Sequence, residues 1–170
     1  ENAYEQTVEN FENSDWGDRL YCYNATFQDF ANEIAEEEET YNLIVTNPPF
    51  YTDNFETNNA SRNKARFTSS LSFEDLISGV VKILSSDGKF AVILPYKEAQ
   101  YFIKIAHANG LFLNRKCNVQ GNPKSVIKRS LLEFSFSEIE INEAHLIIET
   151  SRHNYTEDYI NLTKDFYLKM

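Results

Sequence analysis

Residues 43–50 have the sequence Leu-Ile-Val-Thr-Asn-Pro-Pro-Phe, a short apolar run that ends in two consecutive prolines. The first four residues are apolar or β-branched and predict a buried strand of an open α/β sheet. Ligands of such sheets bind beyond the carboxyl ends of the strands, where Asn47 and the prolines lie. Pro48 and Pro49 restrict the backbone to extended conformations. The amide of Asn47, a main-chain carbonyl and the ring of Phe50 are therefore held at fixed relative positions.

This combination of groups suits a flat molecule that carries an exocyclic amine. The amide oxygen of Asn47 and the main-chain carbonyl can accept the two N–H bonds of the amine, and the aromatic ring can stack on the face of the molecule. The exocyclic amine of adenine is a poor nucleophile because its lone pair is delocalised into the ring. Two acceptors favour a more tetrahedral nitrogen, which returns lone-pair density to the amine. The amine can then attack an electrophile without a general base.

The rest of the chain alternates helices with strands. Amphipathic patterns predict helices over 2–13, from Phe27 to Ile34, from Ser72 to Leu84, over 97–109 and from Thr156 to Phe166. Strands are predicted at 19–23, 43–46 and 90–94, and then at 112–120, 130–136 and 144–150 without helices between them. These last three strands predict antiparallel pairing at the edge of the sheet. We therefore expect an α/β fold with a Rossmann-like parallel sheet and an antiparallel edge, in a single domain spanning residues 1–170.

Composition excludes several classes of protein. No apolar stretch of the 170 residues approaches the ~18 residues that a membrane span needs. Cys22 and Cys117 are isolated, which favours two reduced core thiols in a cytoplasmic protein. His107, His145 and His153 have no metal-ligand spacing, so we expect no metal.

The net charge of −10 conceals a strong asymmetry. Residues 1–60 contain 14 acids and one base, whereas residues 61–170 contain 12 acids and 15 bases. Two stretches of the second part, 58–73 and 113–132, contain no acid at all. Their local field can attract a phosphate backbone, although ordinary solvated loops are the alternative explanation. Their basic residues are Arg62, Lys64 and Arg66 in the first stretch and Arg115, Lys116, Lys124, Lys128 and Arg129 in the second.

The Asn-Pro-Pro-Phe tetrapeptide resembles the catalytic motif of amino methyltransferases that use S-adenosylmethionine. Together with Ala-Ser-Arg-Asn-Lys-Ala-Arg-Phe at 60–67 and Leu-Ser-Phe-Glu-Asp-Leu at 71–76, it is similar to the bacterial tRNA(Val) adenine-N6 methyltransferase family. Pro123-Lys124 with Lys128-Arg129, and residues 162–168, resemble the C-terminal half of that family. The likeness runs over nearly the whole chain. It implies methyl transfer to the N6 amine of adenine 37, beside the anticodon of valine tRNA.

The resemblance also implies roles for individual residues. Asn47 and Pro48 would accept the hydrogen bonds of the amine, and Phe50 would stack on a base splayed out of its loop, as RNA readers generally require. Pro49 and Tyr51 would complete the contact with the base. A larger set of basic residues would bind the RNA backbone, and its members are Arg62, Lys64, Arg66, Lys124, Lys128 and Arg129.

The chain departs from the family in its cofactor-binding features. It contains no GxGxG turn for the methionine moiety of the cofactor and does not begin with Met. It therefore resembles the C-terminal two-thirds of a longer protein, without the first strands of the sheet. Where the family often has an acid that holds the adenine of the cofactor, this chain has Asn24 and Thr26, which together with Asn47 are the candidate cofactor contacts.

Two alternatives to tRNA methylation remain open at this point. One is another amine acceptor, such as DNA adenine, rRNA guanine or protein glutamine. The other is a non-catalytic RNA-binding module, suggested by the missing glycine-rich turn. The sequence does not define the oligomeric state.

Overall fold

The computed structural model describes residues 2–48 and 71–168. Its helices are α1 (Asn2–Glu12), α2 (Phe27–Glu36), α3 (Phe73–Ile83), α4 (Tyr96–Ala108) and α5 (Glu157–Thr163), with a 3₁₀ helix at Gly17–Arg19. Its strands are β1 (Tyr41–Thr46), β2 (Leu84–Pro95), β3 (Phe112–Gln120), β4 (Ile127–Ser135), β5 (Asn142–Ile147), β6 (Glu149–Ser151) and β7 (Asn154–Tyr155). Each predicted helix is present, and so is each predicted strand except the one at 19–23.

The five longer strands form one sheet in the order β1-β2-β4-β3-β5. Strands β1 and β2 are parallel, β3 and β5 are parallel, and β4 runs antiparallel to both of its neighbours, β2 and β3. Four of the five strands thus run in the same direction, and β4 alone among them runs the opposite way. The predicted α/β class with a mostly parallel sheet is confirmed. The prediction of antiparallel pairing is confirmed for β3 and β4 but is wrong for β5. Since β2 already occupies one edge of β4, β5 adds to the free edge of β3 and runs parallel to it.

Helices α3 and α4 cover one face of this sheet, and their apolar side chains form the core with β2 and β4. Phe90, Phe102 and Phe134 are fully buried there, with ring centroids 5.8 to 6.2 Å apart. Helix α2 extends the same layer, because its Phe27 packs directly on Gly79 of α3, where a side chain would overlap the ring. Burying one such phenylalanine contributes about 1.5–3 kcal/mol to stability, so this cluster holds the helices on the sheet.

The opposite face of the sheet is open to solvent over β1 and β4. Leu43 and Val45 are 59% and 69% exposed, and Leu131 of β4 is 41% exposed. Ile44 of β1, by contrast, turns toward the helices and packs against the core. The prediction that residues 43–46 form a fully buried strand is therefore wrong in its burial, because no element of the described ranges covers this face.

The predicted strand at 19–23 is replaced by the 3₁₀ helix and an extended segment without strand pairing. Tyr21 and Tyr23 in this segment are 73% and 59% exposed. A strand needs a neighbour to accept and donate its backbone hydrogen bonds. Within the two described ranges no strand lies beside this segment. Its backbone is therefore extended, as the sequence favours, but it does not pair with another strand.

Helix α3 begins at the predicted cap. The hydroxyl of Ser72 accepts a hydrogen bond from the backbone N–H of Asp75 at 3.0 Å and donates one to its carboxylate at 2.7 Å. We expect Ser72→Ala to lower the free energy of unfolding by about 1 kcal/mol, because a backbone donor loses its partner. Urea denaturation measures this change.

The matched control for this prediction is Ser78→Ala, an exposed serine within the same helix. Alanine has the higher helix propensity, so this variant should be as stable as the parent protein or slightly more stable. Equal midpoints and slopes for the two variants would show that the cap does not contribute.

Candidate functional site

The proposed catalytic segment begins where β1 ends. Thr46 is the last residue of β1 that pairs with β2, opposite Val92, and Asn47 and Pro48 follow it directly. Asn47 is exposed and Pro48 is buried. Because proline has no backbone N–H, Pro48 cannot continue the hydrogen-bonding pattern of the strand. The strand therefore ends before it, and the side chain of Asn47 is open to solvent. An Asn side chain in this position is free to meet a ligand at the carboxyl edge of the sheet.

Part of the predicted site lies outside the described residues. This applies to the second proline and the two aromatic residues of the motif, and to the first basic stretch. The residues concerned are Pro49, Phe50, Tyr51, Arg62, Lys64 and Arg66.

The second group of basic residues lies on the same edge of the sheet as Asn47. Arg129 pairs with Pro95 at the carboxyl end of β2, and Lys128 precedes it at the start of β4. Lys124 lies in the turn between β3 and β4, and all three basic residues are exposed. Since β4 is two strands away from β1, these side chains start about 10 Å from the strand that carries Asn47.

The other two basic residues of the acid-free stretch are paired with acids elsewhere in the sheet. Arg115 lies 3.4 Å from Glu133, which also contacts Lys89 at 3.5 Å. Lys116 lies 3.8 Å from Glu143. A stretch without acids in sequence is therefore not free of acids in space, because neighbouring strands bring carboxylates to it. Of the basic residues in this stretch, Lys124, Lys128 and Arg129 lie nearest to the carboxyl edge of the sheet.

The candidate cofactor contacts Asn24 and Thr26 precede helix α2, and both are exposed. The hydroxyl of Thr26 caps the helix, accepting from the backbone N–H of Asp29 at 3.1 Å and donating to its carboxylate at 2.7 Å. Its capping role is a structural reason for its presence at this position. Asn24, by contrast, presents an exposed amide.

One residue at this edge escapes the sequence prediction. Tyr96 follows Pro95 directly at the carboxyl end of β2 and is 44% exposed. In the sequence, an aromatic residue directly follows a proline near the end of both strands, as Pro49-Phe50 after β1 and as Pro95-Tyr96 at the end of β2. That repeated pattern is the signal that could have found it.

Two open cavities among the described residues lie away from Asn47. One, of about 300 Å³, lies between α1 and the segment that contains Leu20, Tyr21 and Tyr23. The other, of about 450 Å³, is lined by Asp87 and Asn114, among other residues, near the amino end of β2. Neither cavity is lined by Asn47, Pro48 or the basic residues at the carboxyl edge.

Among the described residues, the remaining candidates for chemistry do not form a second site. Cys117 is half-buried, and this burial raises the pKa of its thiol, so that it stays protonated at neutral pH. The described part of the chain contains no group of three His, Cys, Asp or Glu side chains that could hold a metal ion. Within the same ranges, no helix has the length and apolar character needed to cross a bilayer.

The architecture is that of class I methyltransferases. The crystal structure of a predicted O-methyltransferase from Agrobacterium tumefaciens superimposes with a TM-score of 0.67 over 96% of this chain and 73% of that chain. Because the two sequences are only 19% identical, this similarity defines the fold alone. No protein-family model matches the chain.

Curated relatives define the family. The chain is 47% identical to the tRNA1(Val) (adenine(37)-N6)-methyltransferase of Christiangramia forsetii over 170 residues, which is all of this chain and 70% of that protein. It is 50% identical to the enzyme of the same name from Flavobacterium johnsoniae, over all of this chain and 72% of that protein. The chain belongs to the tRNA1(Val) (adenine(37)-N6)-methyltransferase family.

Proposed function

We propose that this protein transfers a methyl group from S-adenosylmethionine to the N6 amine of adenine 37 in valine tRNA. The observation that carries the proposal is the exposed Asn47 beside the buried Pro48 at the carboxyl end of β1, in a chain of this family. A tRNA substrate would also place the protein in the cytoplasm. We further propose that residues 1–170 act as one methyltransferase domain, supported by the single sheet that joins the strands from β1 to β5.

The acceptors of the amine are supplied by the backbone and side chain of the motif. The amide oxygen of Asn47 accepts one N–H of the target amine, and the main-chain carbonyl of Pro48 accepts the other. Burial of the proline fixes the carbonyl, while exposure of Asn47 leaves its amide accessible to the base. Fixed acceptors need no reorganisation when the nitrogen becomes tetrahedral, so they stabilise the transition state more than the ground state.

S-adenosylmethionine, when bound, supplies the electrophilic methyl group. The described residues fit such a cofactor in part: the exposed amides of Asn24 and Asn47 can hydrogen-bond to its polar groups. Thr26 is the weaker of the three candidates, because its hydroxyl already makes two hydrogen bonds within the cap of α2.

The base is held by aromatic rings and the RNA by charge. We assign stacking on adenine to Phe50, and further contacts with the base to Pro49 and Tyr51. Stacking of one base on an aromatic side chain contributes about 1–3 kcal/mol to the binding free energy. Tyr96 offers a further aromatic face at the same edge. Contacts with phosphates are assigned to the two basic groups, which are Arg62, Lys64 and Arg66 after the motif, and Lys124, Lys128 and Arg129 near the start of β4.

Labelled S-adenosylmethionine tests the substrate class. We expect methyl groups to enter an unmodified valine tRNA transcript and to be lost when adenine 37 is replaced by guanine. Incorporation into DNA or into protein glutamine instead would reject tRNA as the substrate. Calorimetry with S-adenosylmethionine tests the non-catalytic alternative, since micromolar binding by this chain would exclude a pure RNA-binding module.

Reversing the charge of Lys124 and Lys128 together should weaken tRNA binding without a comparable change in kcat. Removing one interaction between a lysine and a phosphate reduces the slope of log Kd against log salt by about 0.7–0.9. We therefore expect a decrease of about 1.5 for Lys124→Glu/Lys128→Glu. Filter binding between about 50 and 200 mM salt measures this slope.

The matched control is Lys104→Glu, an exposed lysine on α4 away from the carboxyl edge of the sheet. One reversal there should leave the slope nearly unchanged. If the double variant retained the parental slope, these lysines would not contact the RNA backbone.

A further inference from the structure

A small hairpin follows the carboxyl end of β5 and forms a separate two-stranded sheet. Strands β6 and β7 pair antiparallel, with Ser151 opposite Asn154, so that only Arg152 and His153 form the turn. The hairpin follows β5, which is the outermost strand on the side away from β1. Both the hairpin and the turn that carries Lys124 lie at the end of the sheet where β3 and β5 finish.

The base of the hairpin is firmly attached to that turn. The backbone N–H of Ile148 donates to the carbonyl of Gln120 at 2.9 Å, and that of Glu149 donates to the carbonyl of Gly121 at 2.9 Å. The N–H of Thr156 then closes the hairpin by donating to the carbonyl of Ile148 at 3.0 Å. These bonds hold the tip in a defined position relative to the basic residues of the β3–β4 turn.

The tip breaks the usual preference for residues in a two-residue turn. Such turns favour Asn-Gly or Asp-Gly because they need backbone with positive φ. Here His153 has φ of 65°, a conformation that costs a residue with a side chain of order 1 kcal/mol. Both tip residues are exposed, and among the described residues Arg152 has no ion-pair or hydrogen-bond partner for its side chain. A strained turn that presents an unpaired guanidinium to solvent is a feature that stability alone does not favour.

The hairpin leaves the sheet from β5, the edge strand on the side away from β1. Four strand spacings separate β1 from β5, a distance of about 19 Å, which is close to the width of a nucleic-acid duplex. Lys124, Lys128 and Arg129 lie between these two ends of the edge. The nearby acids, Glu149, Glu157 and Asp158, belong to the base of the hairpin and to the first turn of α5 rather than to the tip.

We propose that the Arg152–His153 tip of the β6–β7 hairpin contacts the RNA substrate at a second point, beyond β5, which lies about 19 Å from the strand that carries Asn47. Arg152 binds a backbone phosphate through its planar fork of N–H donors, and the exposed imidazole of His153 lies beside it as a polar or stacking surface. The hairpin then orients the anticodon arm across the carboxyl edge of the sheet while the target base enters the site at β1. This inference rests on the proposed function, because it assumes an RNA substrate.

The test compares Arg152→Glu, Arg152→Lys and the control Lys104→Glu with the parent protein, using an unmodified valine tRNA transcript. We expect Arg152→Glu to raise Kd about tenfold, as for the loss of one charge-assisted hydrogen bond, and to reduce the salt slope by about 0.7–0.9. Arg152→Lys keeps the charge but not the planar fork, so its Kd should lie between those of the parent protein and Arg152→Glu while its salt slope stays parental. Lys104→Glu should stay within about twofold of the parental Kd. At saturating tRNA the kcat of Arg152→Glu should also be within about twofold, because the tip lies far from the reacting amine.

The outcomes separate the two proposals. If the parent protein methylates tRNA but Arg152→Glu has the parental Kd and salt slope, the hairpin contact is rejected and the proposed function stands. An equal effect of Lys104→Glu would also reject it, since overall charge would then explain the weaker binding. If the parent protein neither binds nor methylates RNA, the proposed function itself fails, and the hairpin contact fails with it.

Discussion

Asn47→Ala should reduce kcat for methyl transfer by a factor on the order of 30 to 1,000, equivalent to about 2–4 kcal/mol of transition-state stabilisation. The side chain is exposed at the carboxyl end of β1, and its replacement removes one of two acceptors for the amine. The remaining carbonyl of Pro48 cannot accept both N–H bonds with good geometry. Single-turnover kinetics with labelled S-adenosylmethionine measures the chemical step directly.

Two further variants make this experiment specific. Asn161→Ala alters an exposed asparagine on α5 and should leave kcat unchanged. Asn47→Asp keeps an acceptor oxygen at the same place, so it should retain more activity than the alanine variant. Full turnover by Asn47→Ala would remove this residue from the mechanism.

Phe102→Ala should lower the free energy of unfolding by about 3–5 kcal/mol, which is the range for deleting a buried aromatic side chain. The ring has no exposed surface and lies 5.0 Å from Phe73, 5.8 Å from Phe134 and 6.2 Å from Phe90, measured between ring centroids. A cavity in this position would separate α4 from both β2 and β4. Chemical denaturation followed by tryptophan fluorescence or circular dichroism gives the change.

The neighbouring Tyr101 provides the control for this loss of stability. Its side chain is 53% exposed, and its hydroxyl donates a hydrogen bond to Glu74 at 2.8 Å. We expect Tyr101→Ala to cost about 1 kcal/mol, since it removes an exposed hydrogen bond without creating a cavity. A comparable cost for both variants would show that the phenylalanine cluster is not the main source of stability.

Local patterns predict most of the secondary structure. The serine cap at Ser72 and the Asn109-Gly110 stop depend on short-range hydrogen bonds and backbone conformation, and both lie where the sequence predicts them. The strand at 19–23 fails for a different reason. Its residues favour extended backbone, but a strand also needs a partner, which local sequence does not supply.

The candidate site divides in the same way. The sequence identifies Asn47 and Pro48 through the rigidity of consecutive prolines, and the structure places them at the end of β1. The sequence also groups Arg115 and Lys116 with the other basic residues, whereas strand pairing in the structure brings them to Glu133 and Glu143. Salt bridges between strands depend on register, so charge counted along the chain misses them.

By itself, the sequence determined the methyltransferase family, through a likeness that runs over nearly the whole chain. It also determined the α/β class, the helices and the stiff acceptor motif, because these depend on residues close together in the chain. Only the tertiary structure decided the position of β4 between β2 and β3, the parallel pairing of β5 and the exposure of Leu43 and Val45. It alone also placed Asn47 and Pro48 and the basic start of β4 at the same edge of the sheet. These features arise from contacts between segments distant in sequence, whose pairing depends on the edges and faces that the other elements leave available.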